Sequence, residues 1–261
     1  MYDLAGLEHA LAGTLFAGKL HFSPVTGSTN TDALEAAHAD AAHGAVYFAD
    51  EQHAGRGRGD HGWQSAAGQG LYVSVLLRLA LPAARLQWLP MSAGLAASEA
   101  ILQASGLRAD LRWPNDLLLG ERKTGGILVE SRIEGGAASF AVAGIGINVH
   151  QRYFDGSLAT PATSLDLEAG RPISRQSLLV ALLKSLERET LGLLDAAAVA
   201  AIPKRAESAS TWIRGRRVEV HGPQACVGTT EGLDAHGFLR VRTAEGVVTV
   251  QTGGIRAAEI G

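Results

Sequence analysis

The stretch GILVESRIEGGAASFAVAGIGIN, residues 126–148, decides the fold. Apolar runs at 126–133 and 139–148 have strand length, and Glu134-Gly135-Gly136 between them reads as a hairpin turn. In Gly144-Ile145-Gly146-Ile147-Asn148 the two-residue period of a strand puts both isoleucines on one face and both glycines on the other. Two glycines on one face leave either a floor for a flat ligand, with Asn148 at its end, or a surface on which a helix packs closely. Working outward, 111–113 and 117–119 are short strands around the turn Pro114-Asn115-Asp116, and 19–25, 45–49 and 71–77 are further strands. Apolar periodicity predicts helices over 3–18, 85–105, 175–194 and 197–211, and one of Ser28, Thr29 and Asn30 is expected to cap another. The body is therefore of mixed α+β class.

From Gly215 the pattern changes to short β-rich runs separated by glycine-bearing turns, as in a small barrel or sandwich. The expected domains are 1–211 and 212–261.

The bulk properties exclude several classes. With 23 basic and 26 acidic side chains the formal charge is −3, against a nucleic-acid footprint. Cys226 is the only cysteine, so no internal disulfide can form and a reducing compartment is natural. The first residues lack the basic and apolar regions of a signal peptide, and no apolar run has the length of a membrane span. A soluble, cytoplasmic protein without a nucleic-acid or membrane partner is expected.

Chemistry concentrates in three places. The loop from Gln52 to Trp63 carries Gly55-Arg56-Gly57-Arg58: glycines that leave amides free to face an anion, and two planar cations suited to carboxylate or phosphate. It lacks the Gly-Lys-Ser/Thr ending of a Walker loop. Trp63 either stacks on a ligand ring or anchors the loop. Asn115-Asp116 and Lys123 follow across a hairpin, where a carboxylate and an ammonium can place Mg²⁺ and offset charge on a reacting oxygen. Gly144, Gly146 and Asn148 form the third. The scattered histidines offer no zinc-ligand spacing.

Together with Ser28-Thr29-Asn30, Arg112-Trp113-Pro114, Gly125-Gly126-Ile127-Leu128 and Thr163-Ser164-Leu165, these segments stand in an order that resembles the biotin–protein ligases, the biotin–[acetyl-CoA-carboxylase] ligases. The resemblance covers nearly the whole chain. It implies a catalytic domain akin to class II synthetases followed by an SH3-like β-barrel. It also implies an enzyme that activates biotin with ATP and Mg²⁺ as biotinyl-5′-AMP, then transfers it to a lysine of a biotin carboxyl carrier protein. By the same carry-over, Ser28, Thr29, Asn30 and Gln52 meet biotin. Gly55, Gly57 and Trp63 contact ligand, while Arg56, Arg58 and Lys123 act on the carboxylate-to-phosphate region. Asn115 and Asp116 serve the nucleotide, with Asp116 as the metal ligand, and Gly126, Gly144, Gly146 and Asn148 line the pocket.

Two departures stand out. The family loop usually carries a further Gly-Arg where Asp60-His61 stands here, which removes a cation unless His61 is charged. Only 27 residues precede Ser28, too few for the winged-helix repressor domain of many relatives, so a monofunctional form is expected. A lipoate or octanoate ligase or transferase shares this architecture, but the arginine-bearing loop and Ser28-Thr29-Asn30 favour biotin. A binding module without catalysis would not need Lys123 and Asp116. Open sheet edges also allow a homodimer.

Overall fold

The computed structural model describes residues 2–59, 61–79, 81–156 and 158–258. Strands β1 (Leu20–Thr26), β2 (Val46–Gln52), β3 (Gly70–Leu77), β4 (Asp110–Arg112), β5 (Asp116–Leu119), β6 (Arg122–Glu134) and β7 (Ala137–Asn148) form one sheet, ordered β1-β2-β3-β7-β6-β5-β4. Only β1 and β2 run parallel. A parallel pair needs a crossover, and helix α2 (Thr29–His38) supplies it. The longest hairpin, β6–β7, closes on Gly135 (φ 59°) and Gly136 (φ 82°), the left-handed pair that a tight two-residue turn requires.

Every residue of β3 is buried, as a central strand covered on both faces must be. On one face Ala33 and Ala37 of α2 pack on Leu76, Phe140 and Val142. Helices α4 (Leu89–Ser105) and α6 (Arg175–Gly192) cover the other. Ile145 and Ile147 point into that second layer and are buried, so Gly144 and Gly146 lie on the α2 face, as the period of two predicts.

Several elements differ from expectation. The first helix, α1 (Leu4–Ala10), stops well short of residue 18. The chain turns at Gly13 with φ 80°, which a right-handed helix does not accept. The helix expected over 85–105 is two, α3 (Ala83–Leu86) and α4, because Pro90 lacks an N–H to donate backward and sits in the first turn of a new helix. A five-residue helix, α5 (Leu165–Ala169), was too short to show a period.

Helix α7 (Ala196–Ser208) leads to a second sheet of β8 (Arg214–His221), β9 (Cys226–Leu233), β10 (Leu239–Thr243), β11 (Gly246–Val250) and β12 (Gly254–Ala257). Its order is β11-β10-β9-β8-β12, antiparallel throughout. The four-residue β12 carried too little pattern to be foreseen. Between the sheets Trp212 is buried, with the guanidinium carbons of Arg112 and Arg216 at 5.3 and 4.5 Å from its ring centre. Trp113 Nε1 donates to the Gly237 carbonyl at 3.1 Å, a second tie between the two sheets. Among the described residues no helix is long and apolar enough to cross a membrane.

Candidate functional site

The α2 face of the sheet carries a row of hydrogen-bonded polar side chains. Ser28 occupies the N-cap position of α2 without a side-chain hydrogen bond to the helix, and Ser28, Thr29 and Asn30 are all buried although polar. Burying such groups is costly without partners, so their partners define the site. Gln52 at the end of β2 accepts from Thr29 N (2.8 Å) and Thr29 Oγ1 (3.2 Å), and its Nε2 donates to Ser65 Oγ (2.8 Å). The Ser74 hydroxyl in β3 meets Thr29 Oγ1 at 2.8 Å and donates to Asn30 Oδ1 at 2.6 Å. Asn30 Nδ2 donates to Glu130 Oε2 at 2.8 Å.

The glycine loop begins on the same network. Arg56 donates to both oxygens of Glu130, at 3.1 and 2.6 Å. The loop is a narrow ribbon: Gly57 N donates to His61 O (2.7 Å) and Trp63 N to Gly55 O (2.8 Å). Those two amides are engaged within the ribbon itself, unlike the open anion cradle that the glycines suggested. Arg58 departs from the cluster. Its Nη2 donates to the Gly253 carbonyl just before β12, bringing the loop onto the second sheet. Burial lowers the Arg58 guanidinium from its ordinary value, and Asp116 partly offsets this. Asp60 lies outside the described residues.

Trp63 settles on the glycine floor. A Cβ at Gly146 would meet the indole at 2.7 Å, and one at Gly126 would meet it at 3.6 Å. A Cβ at Gly144 would collide with Asn30 Oδ1. The floor is thus occupied by an aromatic ring and an amide of this chain. The Trp63 Nε1 donor is buried without a partner, as is the Thr124 hydroxyl nearby in β6.

Beside this floor, at the level where Asp116, Gly126 and Gly146 are neighbours across the strands, lies the charged cluster. Lys123 Nζ is 2.6 Å from Asp116 Oδ1. Arg112 Nε and Nη2 donate to Asp116 Oδ2 at 3.1 and 2.6 Å. Burial alone would raise the Asp116 carboxyl, but Lys123 and Arg112 outweigh it and hold the group below its ordinary value. Lys123 Nζ also lies 5.5 Å from the Trp63 ring centre, within cation–π reach.

Both oxygens of Asp116 face cations, and among the described residues no three His, Cys, Asp or Glu side chains converge as a metal site. This donor set does not fit a resident Mg²⁺. Two other candidates are turned toward backbone. Asn115 Nδ2 donates to Ile127 O (2.7 Å), and Asn148 Nδ2 donates to Thr163 O (3.1 Å).

The structure therefore joins Thr29, Asn30, Gln52 and Arg56 in one network, with Trp63, Lys123 and Asp116 beside it. Ser65, Ser74, Arg112 and Glu130 belong to these clusters but were not among the candidates. Glu130 had one signal: in β6 it shares a face with Gly126 by the period of two. A cavity of about 320 Å³ lined by Tyr2, His150 and residues 173–177 lies at the start of α6 and includes none of these side chains.

The profile of the Biotin/lipoate A/B protein ligase family matches residues 22–148. The Bifunctional ligase/repressor BirA of Bacillus subtilis is 37% identical over 171 residues, 65% of this chain and 53% of that protein. This chain thus spans about half the length of that relative. The Biotin--[acetyl-CoA-carboxylase] ligase of Mycobacterium tuberculosis is 34% identical over 88% of this chain and 85% of its own length. Among solved structures, the biotin protein ligase from Aquifex aeolicus in complex with biotin and ATP superposes with a TM-score of 0.77. It is 29% identical, covering 92% of this chain and 98% of that one.

Proposed function

This chain belongs to the biotin–protein ligases, and we propose on that premise that it activates biotin with ATP and passes it to a lysine of a biotin carboxyl carrier protein. The family profile alone spans biotin and lipoate enzymes; the named relatives and the biotin- and ATP-bound structure favour biotin.

Lys123 carries the reading. Its ammonium sits between Asp116 and the Trp63 ring, beside the floor of Gly126 and Gly146. In the first step the biotin carboxylate attacks the α-phosphorus of ATP and pyrophosphate leaves. Two anions must approach, and fixed cations that need no reorganisation lower that barrier. Lys123 faces this charge, Asp116 holds Lys123 in place and Arg112 holds Asp116, while Arg58 reaches the charge by giving up the Gly253 carbonyl for it. Mg²⁺ arrives as the counter-ion of ATP. Thr29, Gln52 and Ser74 present the hydroxyls and amide that suit the biotin ureido ring, with Ser28 beside them. In the second step a neutral lysine amine attacks the acyl carbon, AMP leaves and the amide forms with loss of a proton. The loop from Gly55 to Trp63 excludes water from the reactive anhydride meanwhile.

The test is biotin-dependent exchange of labelled pyrophosphate into ATP, with lipoate and octanoate as controls. Exchange with biotin alone is expected; exchange with lipoate instead would move the assignment to the other branch, and none at all would leave only a binding protein. A smaller prediction concerns the floor. Gly144→Ala pushes a methyl into Asn30 Oδ1, and crowding of that kind costs about 1–3 kcal/mol. Biotin titrated calorimetrically into this variant should bind about tenfold more weakly. Unchanged affinity would place Asn30 away from the ligand.

A further inference from the structure

We propose that Glu130 is a positioning residue of the ligation, acting through Arg56 and Asn30; this rests on the ligase reading above. An exposed ion pair contributes little, and Arg56 is itself exposed, 40% at the side chain against 29% for Glu130, so the charge pairing alone carries no argument. Three observations set this pair apart. Both carboxylate oxygens receive Arg56, in the fork geometry that fixes the guanidinium plane. The oxygen nearer Arg56 Nη2 also accepts from Asn30, which is 4% exposed. Asn30 in turn joins Ser74, Thr29, Gln52 and Ser65, whose hydroxyl donates to Trp63 O at 3.1 Å.

One continuous hydrogen-bonded path therefore links Arg56 near the start of the glycine loop to Trp63 at its end, and Glu130 is where Arg56 enters it. The pairing does not exhaust the arginine. A guanidinium has five N–H donors, and two are engaged by Glu130. The remaining donors are held in a fixed direction and stay available to a carboxylate or phosphate. Glu130 also sets which end of the Asn30 amide faces Ser74, because its oxygen accepts only from Nδ2.

Glu130→Gln leaves one acceptor oxygen for the three N–H donors the carboxylate serves, so the fork to Arg56 is broken in either orientation of the amide. In biotin-dependent pyrophosphate exchange, kcat should fall about ten- to a hundredfold, as expected of a misplaced group, with any rise in biotin KM through Asn30 smaller than that fall. Glu130→Asp keeps the carboxylate and should recover part of the loss, which also covers a Gln variant that folds poorly. Arg56→Ala combined with Glu130→Gln should lose less than the product of the two single losses, since only the part carried through Asn30 adds to Arg56→Ala. Wild-type kcat in Glu130→Gln, a change confined to KM, or additive losses in the double variant would overturn the role. A wild-type protein without exchange would refute the ligase reading and this inference with it, whereas an active wild type with an unaffected Gln variant refutes Glu130 alone.

Discussion

Replacing Lys123 by alanine is expected to slow adenylate formation by about a hundred- to a thousandfold, some 3–4 kcal/mol of barrier. The size follows from where the ammonium sits. It lies beside Gly126, where an added Cβ would be 3.6 Å from Nζ, and it is fixed at 2.6 Å from Asp116 before any ligand charge develops. The variant should still fold, because Asp116 keeps both bonds from Arg112 and is not left as an unpaired buried charge. The loss should therefore appear in single-turnover adenylation with biotin and ATP. Purified biotinyl-5′-AMP supplied to the variant should still label an acceptor lysine far better than ATP and biotin do. Adenylation at the wild-type rate would remove Lys123 from the chemistry.

That separation of chemistry from stability was only partly legible in the sequence. The hairpin of residues 126–148 announced its strands, its turn and the face its glycines share, because alternation and a Gly-Gly pair are local signals. Lys123 and Asp116 were legible as a pair since a short antiparallel connection brings them together. Glu130 was not, because a carboxylate after Ile127-Leu128-Val129 looks like the solvent end of a strand until Arg56, 74 positions away, is folded onto it. Ser74 looks like a small residue in a buried strand; its meaning comes from α2 crossing above it. Arg58 landing on Gly253, 195 positions away, is a product of how the two sheets pack, which no periodicity encodes. The break before α4 was written in Pro90, but the alanine-rich run around it carried the stronger helical signal.

Asp116→Asn should differ from Lys123→Ala in lowering stability as well as activity. The carboxylate is the shared partner of Arg112, 7% exposed, and Lys123, 29% exposed, so the amide leaves two cations facing a neutral group. Breaking one side of a buried ionic cluster costs about 3–5 kcal/mol, and the lower end applies because Lys123 retains some water. The pH dependence has a definite sign. The folded Asp116 carboxyl lies below its ordinary value, so its stabilisation is complete above about pH 4 and is lost as pH falls through the folded value. Urea unfolding of both proteins should thus show a gap that is constant from neutral pH down to about 4 and narrows in more acid solution. A gap that persists unchanged into acid would mean that Asp116 stabilises the fold through packing instead of charge. The same cluster then explains why Arg112 stacks on Trp212: the residue that fixes the carboxylate is itself held by the segment joining the two sheets. Pyrophosphate exchange by Asp116→Asn should accordingly fall even at temperatures where it remains folded, since Lys123 loses the anchor that aims it.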